Sequence, residues 1–217
     1  MKTNLLDYLL STLVLTLVLA GSGGVIWGFS SMSVKLFGDY HVLVDLGLGL
    51  LCFGVLSALV IRALLWWKPI TPGTYSMDSP MFVHWKLITV LSHFGYAALR
   101  PLTPIFFRPL VSMLYGAQLG SGVALGGILD APFLISVGAG SAIGAASLIT
   151  GNYTSGGELM CGTVKIGAGV TIGVNSVVFP NTEIGDNATL VGGSYVMPGT
   201  KIPAGETWRG NPARKWL

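Results

Sequence analysis

The chain has 217 residues, of which 52% are hydrophobic and only 10% are charged, and its formal net charge is +3. An average soluble domain carries about 25% charged residues, so a mean hydropathy of +0.70 argues against a soluble protein. A disordered chain is excluded because disorder needs low hydrophobicity and high net charge. A nucleic-acid-binding module is disfavoured because no dense Lys/Arg stripe is present to neutralise phosphates.

Two apolar segments near the N-terminus predict a membrane anchor. Residues 8–29 contain no charge, and residues 42–67 carry one charge near each end. Each segment is long enough to cross a hydrocarbon core, which takes about 20 helical residues. The Trp-Trp-Lys at 66–68 suits the headgroup region. The sequence therefore predicts two transmembrane helices joined by a short loop at 31–40, within an anchor of residues 1–75.

A cleaved signal peptide is the competing interpretation of the first segment. Its apolar run exceeds the usual core of about 7–15 residues, and no clear small-residue cleavage site follows it. Lys2 flanks the first segment and Lys68 flanks the second, whereas Lys35 in the connecting loop is offset by Asp39. The positive-inside rule then predicts an integral protein of a bacterial-type inner membrane, with both termini in the cytoplasm.

Residues 76–116 form a third segment, which is apolar but interrupted. Three prolines, at 101, 104 and 109, break any single helix. Lys86 and Arg100 can extend their charged ends towards headgroups, so the segment is predicted to lie as helices in the membrane interface. The alternative is a pair of ordinary helices packed on a soluble domain.

An aliphatic residue returns at every sixth position from residue 119 onwards, usually followed by Gly. The first phase comprises Leu119, Leu125, Val137, Ile143 and Ile149, with Ala131 filling its gap. The second phase runs through eight hexads: Ile166, Ile172, Val178, Ile184, Leu190, Val196, Ile202 and Trp208. This period predicts a parallel β-helix whose aliphatic side chains stack inside a triangular prism, with about 18 residues per rung. About five rungs fit, and residues 152–162, which break the phase, are predicted to project as a loop.

These repeats, with the closing Pro-Ala-Gly-Glu-x-Trp-x-Gly-Asn-Pro-Ala-Arg at Pro203 to Arg214, resemble the hexapeptide-repeat acyltransferases. The apolar stretch that ends in Leu114-Tyr115-Gly116-Ala117-Gln118-Leu119-Gly120, followed by Leu129-Asp130-Ala131-Pro132, is similar to a membrane-attached branch of that family. This branch includes the C-terminal membrane domains of some non-ribosomal peptide synthetases. The resemblance implies that residues 117–217 form a left-handed parallel β-helix. It also implies a homotrimer with active sites between neighbouring prisms.

The resemblance further implies an acyl-CoA co-substrate, either acetyl-CoA or another acyl-CoA, with a histidine as the catalytic base. The chain departs from that pattern, because His41, His84 and His93 all precede the coil. Three explanations remain open. Glu158 is the base beside Asn152 in the projecting loop, or His84 or His93 reaches the site from the interfacial helices, or catalysis is lost and the prism is a scaffold.

Candidate contacts to acyl-CoA follow from the same resemblance. They are Gly192, Ser194, Arg209, Asn211 and Arg214. No metal is expected, because a zinc site of the carbonic anhydrase kind on this prism would need three coil histidines. Cys52 and Cys161 are too isolated for a disulfide framework.

The sequence as a whole predicts a membrane-bound acyltransferase. It would transfer an acetyl or acyl group to a hydroxyl or amine of a lipid-linked sugar, lipid or peptide. The expected partners are other copies of the chain in a homotrimer, membrane lipids and this membrane-linked acceptor, with no nucleic acid. The alternative is a non-catalytic trimeric scaffold or a subunit of a larger membrane complex.

Overall fold

The computed structural model describes residues 5–216, which divide into two units. The helical unit comprises the chain up to Pro69 together with Pro80–Pro104. The solenoid unit comprises Ile70–Ser79 and the chain from Ile105 onwards. The predicted boundaries at residues 75 and 116 remain predictions.

Two long helices begin the helical unit. Helix α1 (Leu5–Phe37) and helix α2 (His41–Trp67) are separated by a single 3-10 turn at Gly38–Tyr40. The predicted loop at 31–40 is therefore shorter than expected, since nothing breaks the helix before Gly38, whose φ is +52°. By length and composition alone, residues 7–67 form one helical stretch apolar enough to cross a membrane.

Glycines let α1 and α2 approach each other closely in an antiparallel arrangement. A Cβ added at Gly21 would lie 3.3 Å from Leu56, and one added at Gly49 would lie 2.7 Å from Ile26. Small residues at these two positions let the helix backbones come close, so that more dispersion contacts form between the helices.

Helix α3 (Pro80–Leu99) completes the helical unit. It buries Phe82, Ile88 and Leu91 almost completely. Lys86 on the same helix forms a buried ion pair with Asp7 of α1. As the proline pattern predicts, α3 ends before Pro101 and passes into 3-10 turns at Arg100–Leu102 and Ile105–Phe107. The short helix α4 (Arg108–Leu114) follows, with Pro109 in its first turn.

As far as residue 216, the solenoid unit contains 18 short strands, most of which form three parallel sheets along the prism. The first sheet stacks β2 (Gln118–Leu119), β5 (Ile135–Val137), β10 (Val164–Ile166), β13 (Thr182–Ile184) and β16 (Lys201–Ile202). The second stacks β3 (Ala124–Leu125), β6 (Ala142–Ile143), β11 (Thr171–Ile172), β14 (Thr189–Leu190) and β17 (Thr207–Arg209). The third stacks β4 (Ile128–Asp130), β7 (Leu148–Thr150), β12 (Val177–Val178) and β15 (Tyr195–Val196). The predicted parallel β-solenoid of about five turns is confirmed.

The hexad residues form the core of the solenoid, with one correction. Ile172, Val178 and the other members of the second phase through Ile202 are at most 4% exposed, and Trp208 packs against this core. In the first phase Leu129, not Ala131, stacks on Ile149. The step from Leu125 to Leu129 is two residues shorter than a hexad. The next step, to Val137, is two residues longer because it contains the 3-10 turn at Pro132–Leu134, which follows Ala131 with its φ of +54°.

The corners of the prism need small residues or Asn. A Cβ at Gly173 would lie 2.3 Å from the backbone nitrogen of Gly192 in the next turn. Asn187 adopts a φ of +57°, in the left-handed region that Asn tolerates better than most residues. The surplus of Gly in the composition therefore belongs largely to these corners.

The predicted projecting loop is a β-hairpin. Strands β8 (Asn152–Ser155) and β9 (Glu158–Cys161) pair antiparallel. Strand β1 (Gly73–Ser76), from the segment between α2 and α3, pairs antiparallel with β9. A second hairpin ends the solenoid, where β18 (Arg214–Lys215) pairs antiparallel with β17.

Candidate functional site

Three polar side chains converge where the β8–β9 hairpin leaves the solenoid. We call Asp130, Thr150 and Asn152 the hairpin-base cluster. The Thr150 hydroxyl lies 2.9 Å from Asp130 Oδ2 and 2.7 Å from the Asn152 carbonyl oxygen. The Asn152 backbone N–H donates to the Thr150 hydroxyl at 3.2 Å, and its Nδ2 lies 3.5 Å from Asp130 Oδ2. The cluster is thus a connected hydrogen-bond network around one carboxylate oxygen.

Strand stacking brings the cluster together. Asp130 at the end of β4 is in register with Thr150 at the end of β7. The chain then leaves the coil through Gly151, where a Cβ would lie 2.7 Å from Leu134 Cβ. Since only Gly fits this exit, Asn152 is held directly beyond Thr150. Thr150 and Asn152 are buried, whereas Asp130 is half-buried.

The two candidate residues of the hairpin are not brought together. Asn152 lies at its base, opposite Cys161, whereas Glu158 lies beside the turn, opposite Ser155. Three residue steps along a strand separate them, which is about 10 Å. Glu158 is exposed, so it belongs to the outer end of the hairpin.

The two candidate histidines lie on α3 of the helical unit. His84 is 8% exposed, and its Nε2 lies 2.9 Å from the Lys68 carbonyl oxygen. Because a carbonyl only accepts, Nε2 carries the proton and Nδ1 the lone pair. Burial lowers the pKa of His84, and the hydrogen bond to Lys68 raises it by less. Its ring is therefore neutral at pH 7.

His93 is exposed and turned towards a different side of α3. It follows His84 by nine positions, which at about 100° per residue places the two rings on opposite faces of the helix. Its Nδ1 donates to the Thr89 carbonyl at 2.8 Å, one helical turn earlier. The two histidines therefore do not form a pair.

Two of the candidate acyl-CoA contacts have structural roles within the solenoid. Gly192 fills a corner beneath Gly173. Ser194 is buried, donates its hydroxyl to the Val191 carbonyl and bonds to Ser176 through its backbone N–H. The Ser194 hydroxyl thus already donates a hydrogen bond within its own turn.

The remaining three candidates lie together on the terminal hairpin. Arg209 and Arg214 are exposed and directly opposite each other in the β17–β18 register, and exposed Asn211 lies in the turn between them. Arg209 stacks on the Trp216 ring with its guanidinium carbon 4.5 Å from the ring centroid. Within residues 5–216 neither arginine forms a salt bridge, and Glu206 pairs with Lys215 at 2.7 Å. The hairpin therefore presents two adjacent guanidinium groups.

An open groove runs along the first sheet at the start of the solenoid. Its volume is about 540 Å³, and it is lined by Met113, Ala117, Gln118, Leu119, Gly120, Ser136, Val137, Gly138 and Ile166. This volume is within the usual range of about 300–1,000 Å³ for small-molecule sites. None of the residues predicted for the site lines this groove.

Sequence reasoning missed Asp130 as a site residue. An available signal was its position directly after the shortened step from Leu125 to Leu129, one turn below Thr150, where the projecting segment departs. Three half-buried rings beside the cluster were also missed. The ring centroid of Phe179 lies 5.6 Å from that of Tyr153 and 4.9 Å from that of Tyr195.

Among the described residues, no three His, Cys, Asp or Glu side chains are grouped as ligands of a metal ion.

Comparison with known proteins identifies two relatives by sequence. The delta-poly-L-ornithine synthetase of Acinetobacter baumannii is 25% identical over 200 residues, which cover 85% of this chain and 14% of that protein. The acetyltransferase-like protein YvoF of Bacillus subtilis is 32% identical over 108 residues, which cover 50% of this chain and 62% of that protein. The chain thus spans less than two thirds of either relative. No protein-family model matches it.

Solved structures that resemble the chain include a hexapeptide-repeat acetyltransferase of Vibrio cholerae in complex with acetyl coenzyme A. That match has 18% sequence identity and a TM-score of 0.42, and it covers 51% of this chain and 75% of the other. The fold is that of a hexapeptide-repeat solenoid. In sequence and structure the chain is similar to acetyltransferases of this kind.

Proposed function

We propose that this protein is a membrane-bound acyltransferase. It transfers an acetyl or longer acyl group from acyl-CoA to a hydroxyl or amine of a membrane-associated acceptor: a lipid-linked sugar, a lipid or a peptide. The observation that carries the proposal is the β8–β9 hairpin, which leaves a hexapeptide solenoid above the buried hairpin-base cluster. The similarity to YvoF, an acetyltransferase-like protein, supports the same chemistry.

The exposed apolar surface of the helical unit supports a membrane location. Leu9, Leu13 and Leu17 recur along one face of α1 and are each about 60% exposed. At 1.5 Å per residue, α1 and α2 are about 50 and 40 Å long, which exceeds a hydrocarbon core of about 30 Å. We therefore propose that both helices span the membrane, with both termini in the cytoplasm.

The 3-10 turn before α4 supports an interfacial position for the start of the solenoid unit. Ile105, Phe106 and Leu110 are between 54% and 70% exposed. A contiguous exposed apolar surface of this kind fits the boundary between headgroups and acyl chains. Arg108, within the same stretch, donates to the Gly126 carbonyl at 3.0 Å.

The arginines of the terminal hairpin are proposed to bind the phosphates of acyl-CoA. Arg209 and Arg214 offer paired guanidinium groups, which bind phosphate oxygens through charge-assisted hydrogen bonds. Acyl transfer then requires attack on the thioester carbonyl, loss of the CoA thiolate and removal of the acceptor's proton. The name of the poly-ornithine synthetase relative supports a peptide among the possible acceptors.

A non-catalytic trimeric scaffold is the second candidate, favoured by one observation. No histidine follows His93, so the solenoid lacks the base that the acyltransferase resemblance implies. This alternative predicts co-purification with a stable partner complex and no acyl-CoA binding.

The deciding experiment uses the purified full chain in lipid nanodiscs. Acetyl-CoA and a bacterial lipid extract are added, released CoA is quantified by chromatography, and acetyl-CoA binding is measured by calorimetry. The proposal predicts both binding and CoA release above the protein-free rate. Absence of both would leave the scaffold as the function.

A matched pair of variants locates the bound CoA. Arg214→Gln is expected to weaken acetyl-CoA binding about tenfold, the equivalent of one charge-assisted hydrogen bond. Lys165→Gln removes an exposed cation from the outer face of β10 and is expected to leave binding unchanged. Equal affinities for the two variants would exclude the terminal hairpin as the phosphate site.

A further inference from the structure

The Asp130 carboxylate has one oxygen with hydrogen-bond contacts and a second oxygen without any among the described residues. Its Oδ2 receives the Thr150 hydroxyl at 2.9 Å and faces the Asn152 amide at 3.5 Å. Its Oδ1 takes part in none of the hydrogen bonds found among residues 5–216. Because Thr150 and Asn152 are buried and Asp130 is half-buried, the carboxylate is the member of the cluster that a ligand can reach.

No cation neutralises this carboxylate. Among the described residues the salt bridges join Asp7, Glu183 and Glu206 to lysines, and none of them involves Asp130. The strands packed around it carry no charged side chain, since β4 and β7 contribute Ile128, Leu129, Leu148, Ile149 and Thr150. Beyond them, Asn152 is uncharged and Tyr153 is a phenol. A partly desolvated, unpaired carboxylate is electrostatically complementary to a cationic ligand.

We propose that Asp130 binds the acceptor and that the acceptor is a primary amine, so that the reaction forms an amide. This inference rests on the proposed acyl transfer and narrows its acceptor. An amine arrives as an ammonium ion, because its ordinary pKa is about 10. The open oxygen of Asp130 receives an N–H of that ammonium, and the hydrogen bond from Thr150 holds the carboxylate in place.

The chemistry of a carboxylate base favours nitrogen over oxygen. A hydroxyl acceptor is neutral, so it gains nothing from the charge of Asp130, and it needs its proton removed while it attacks. An amine that has lost one proton to solvent already holds a nucleophilic lone pair. The amine nitrogen bonds to the thioester carbon, the C–S bond breaks, and sulfur leaves with the bonding electrons. Asp130 takes the second proton from nitrogen and returns it to the thiolate, so amide and CoA thiol are the products.

The test compares two membrane-soluble acceptors that differ only in the attacking group. Dodecylamine and dodecanol are incorporated separately into nanodiscs containing the full chain, and acetyl transfer from acetyl-CoA is followed by mass spectrometry. Rates without protein are subtracted, because amines react slowly with thioesters unaided. We expect at least tenfold faster transfer to dodecylamine.

The Asp130→Asn variant tests the role of the charge. Asparagine keeps an oxygen that can accept the Thr150 hydrogen bond, so we expect the fold and acetyl-CoA affinity to persist. We expect kcat/KM for dodecylamine to fall at least tenfold. Glu183→Gln, which removes one exposed carboxylate from β13, is the control and should retain the original rate.

The outcomes separate this inference from the proposed function. Transfer to dodecanol at an equal or higher rate, or full activity of Asp130→Asn, would overturn the amine assignment and leave acyl transfer standing. Acetyl-CoA binding without transfer to either acceptor would also overturn it. Failure of both binding and transfer would overturn the proposed function itself.

Discussion

The helical unit and the solenoid unit are both rich in Leu, Ile and Val, yet they direct these side chains in opposite ways. In the solenoid, Ile172, Leu190 and Val196 are at most 1% exposed. On α1, Leu13 and Leu17 are 59% and 62% exposed. The six-residue period directs every aliphatic side chain into the interior of the prism, whereas an apolar helix distributes such side chains around its axis. High hydropathy in one chain therefore has two physical causes.

Charged residues show the reverse contrast. The solenoid keeps its ion pairs outside, as with Lys201 and Glu183, which are both well exposed. The helical unit buries one, between Asp7 and Lys86, with both side chains at most 10% exposed. Lys86 Nζ also lies 4.8 Å from the centre of the Phe82 ring. The helical unit, despite its more apolar sequence, thus contains the more deeply buried ion pair.

The largest expected effect comes from breaking that buried pair. Lys86→Met leaves the Asp7 carboxylate buried without its cation, which costs about 3–5 kcal/mol of unfolding free energy. Unfolding of the helical unit in mixtures of sodium dodecyl sulfate and dodecyl maltoside measures this loss. The double variant Asp7→Leu/Lys86→Met should recover most of it, because apolar replacements remove both charges together. Equal stabilities for single and double variants would contradict an energetic role of the pair.

Truncating a leucine in each unit tests the difference in burial. Leu190→Ala leaves a cavity in the solenoid and is expected to cost about 2–5 kcal/mol. Leu13→Ala removes the same atoms from an exposed position and is expected to change stability by about 0.5 kcal/mol or less. Thermal unfolding in nanodiscs, followed by circular dichroism in the β and α regions, measures both. Similar losses for the two variants would mean that Leu13 is buried against protein, for example in an assembly.

Glycine substitutions are expected to act with opposite signs. Gly173→Ala places a Cβ against the backbone of the next turn, 2.3 Å from Gly192 N, and overpacking of this kind costs about 1–3 kcal/mol. Gly23→Ala meets no atom within 4 Å, and Ala is favoured over Gly in a helix by about 1 kcal/mol. The melting temperature should fall for the first variant and rise for the second. A decrease for Gly23→Ala would indicate a close contact of α1 with another molecule.

Local periodicity accounts for the parts of the fold that sequence reasoning could predict. Every member of the second hexad phase from Ile166 to Ile202 lies in the core, because each side chain repeats its own environment one turn above. Val170 and Ala188 join the core from outside this phase. The assignment of Ala131 to the hexad stack was wrong, although Ala131 is buried, because hexad spacing does not reveal that Leu129 follows Leu125 by only four residues. The projecting loop was placed correctly, but its hairpin form was not predicted.

The rest required contacts between distant parts of the chain. Strand β1 pairs with β9 across more than 80 residues, and a short segment such as Gly73–Ser76 carries no periodic signal of its own. Asp130 joined the candidate site only because strand stacking sets it beside Thr150, 20 residues later. Conversely, Asn152 and Glu158 are close in sequence but lie at opposite ends of one hairpin. Nearness along the chain was therefore a poor guide to the site.

The smallest expected effect concerns the single cysteine of the solenoid unit, Cys161. Burial raises the pKa of its thiol to about 11, from an ordinary value of 9.0. Between these values the unfolded chain loses the thiol proton while the folded chain keeps it, so stability is full below pH 9 and declines as pH rises towards 11. Denaturant unfolding at pH 8, 9, 10 and 11 in a Cys52→Ser background should show this decline, and Cys161→Ala should remove the part due to the thiol. Superimposable pH profiles for the two proteins would mean that water reaches the thiol at the base of the hairpin, so that the dry core of the prism would not extend to the hairpin.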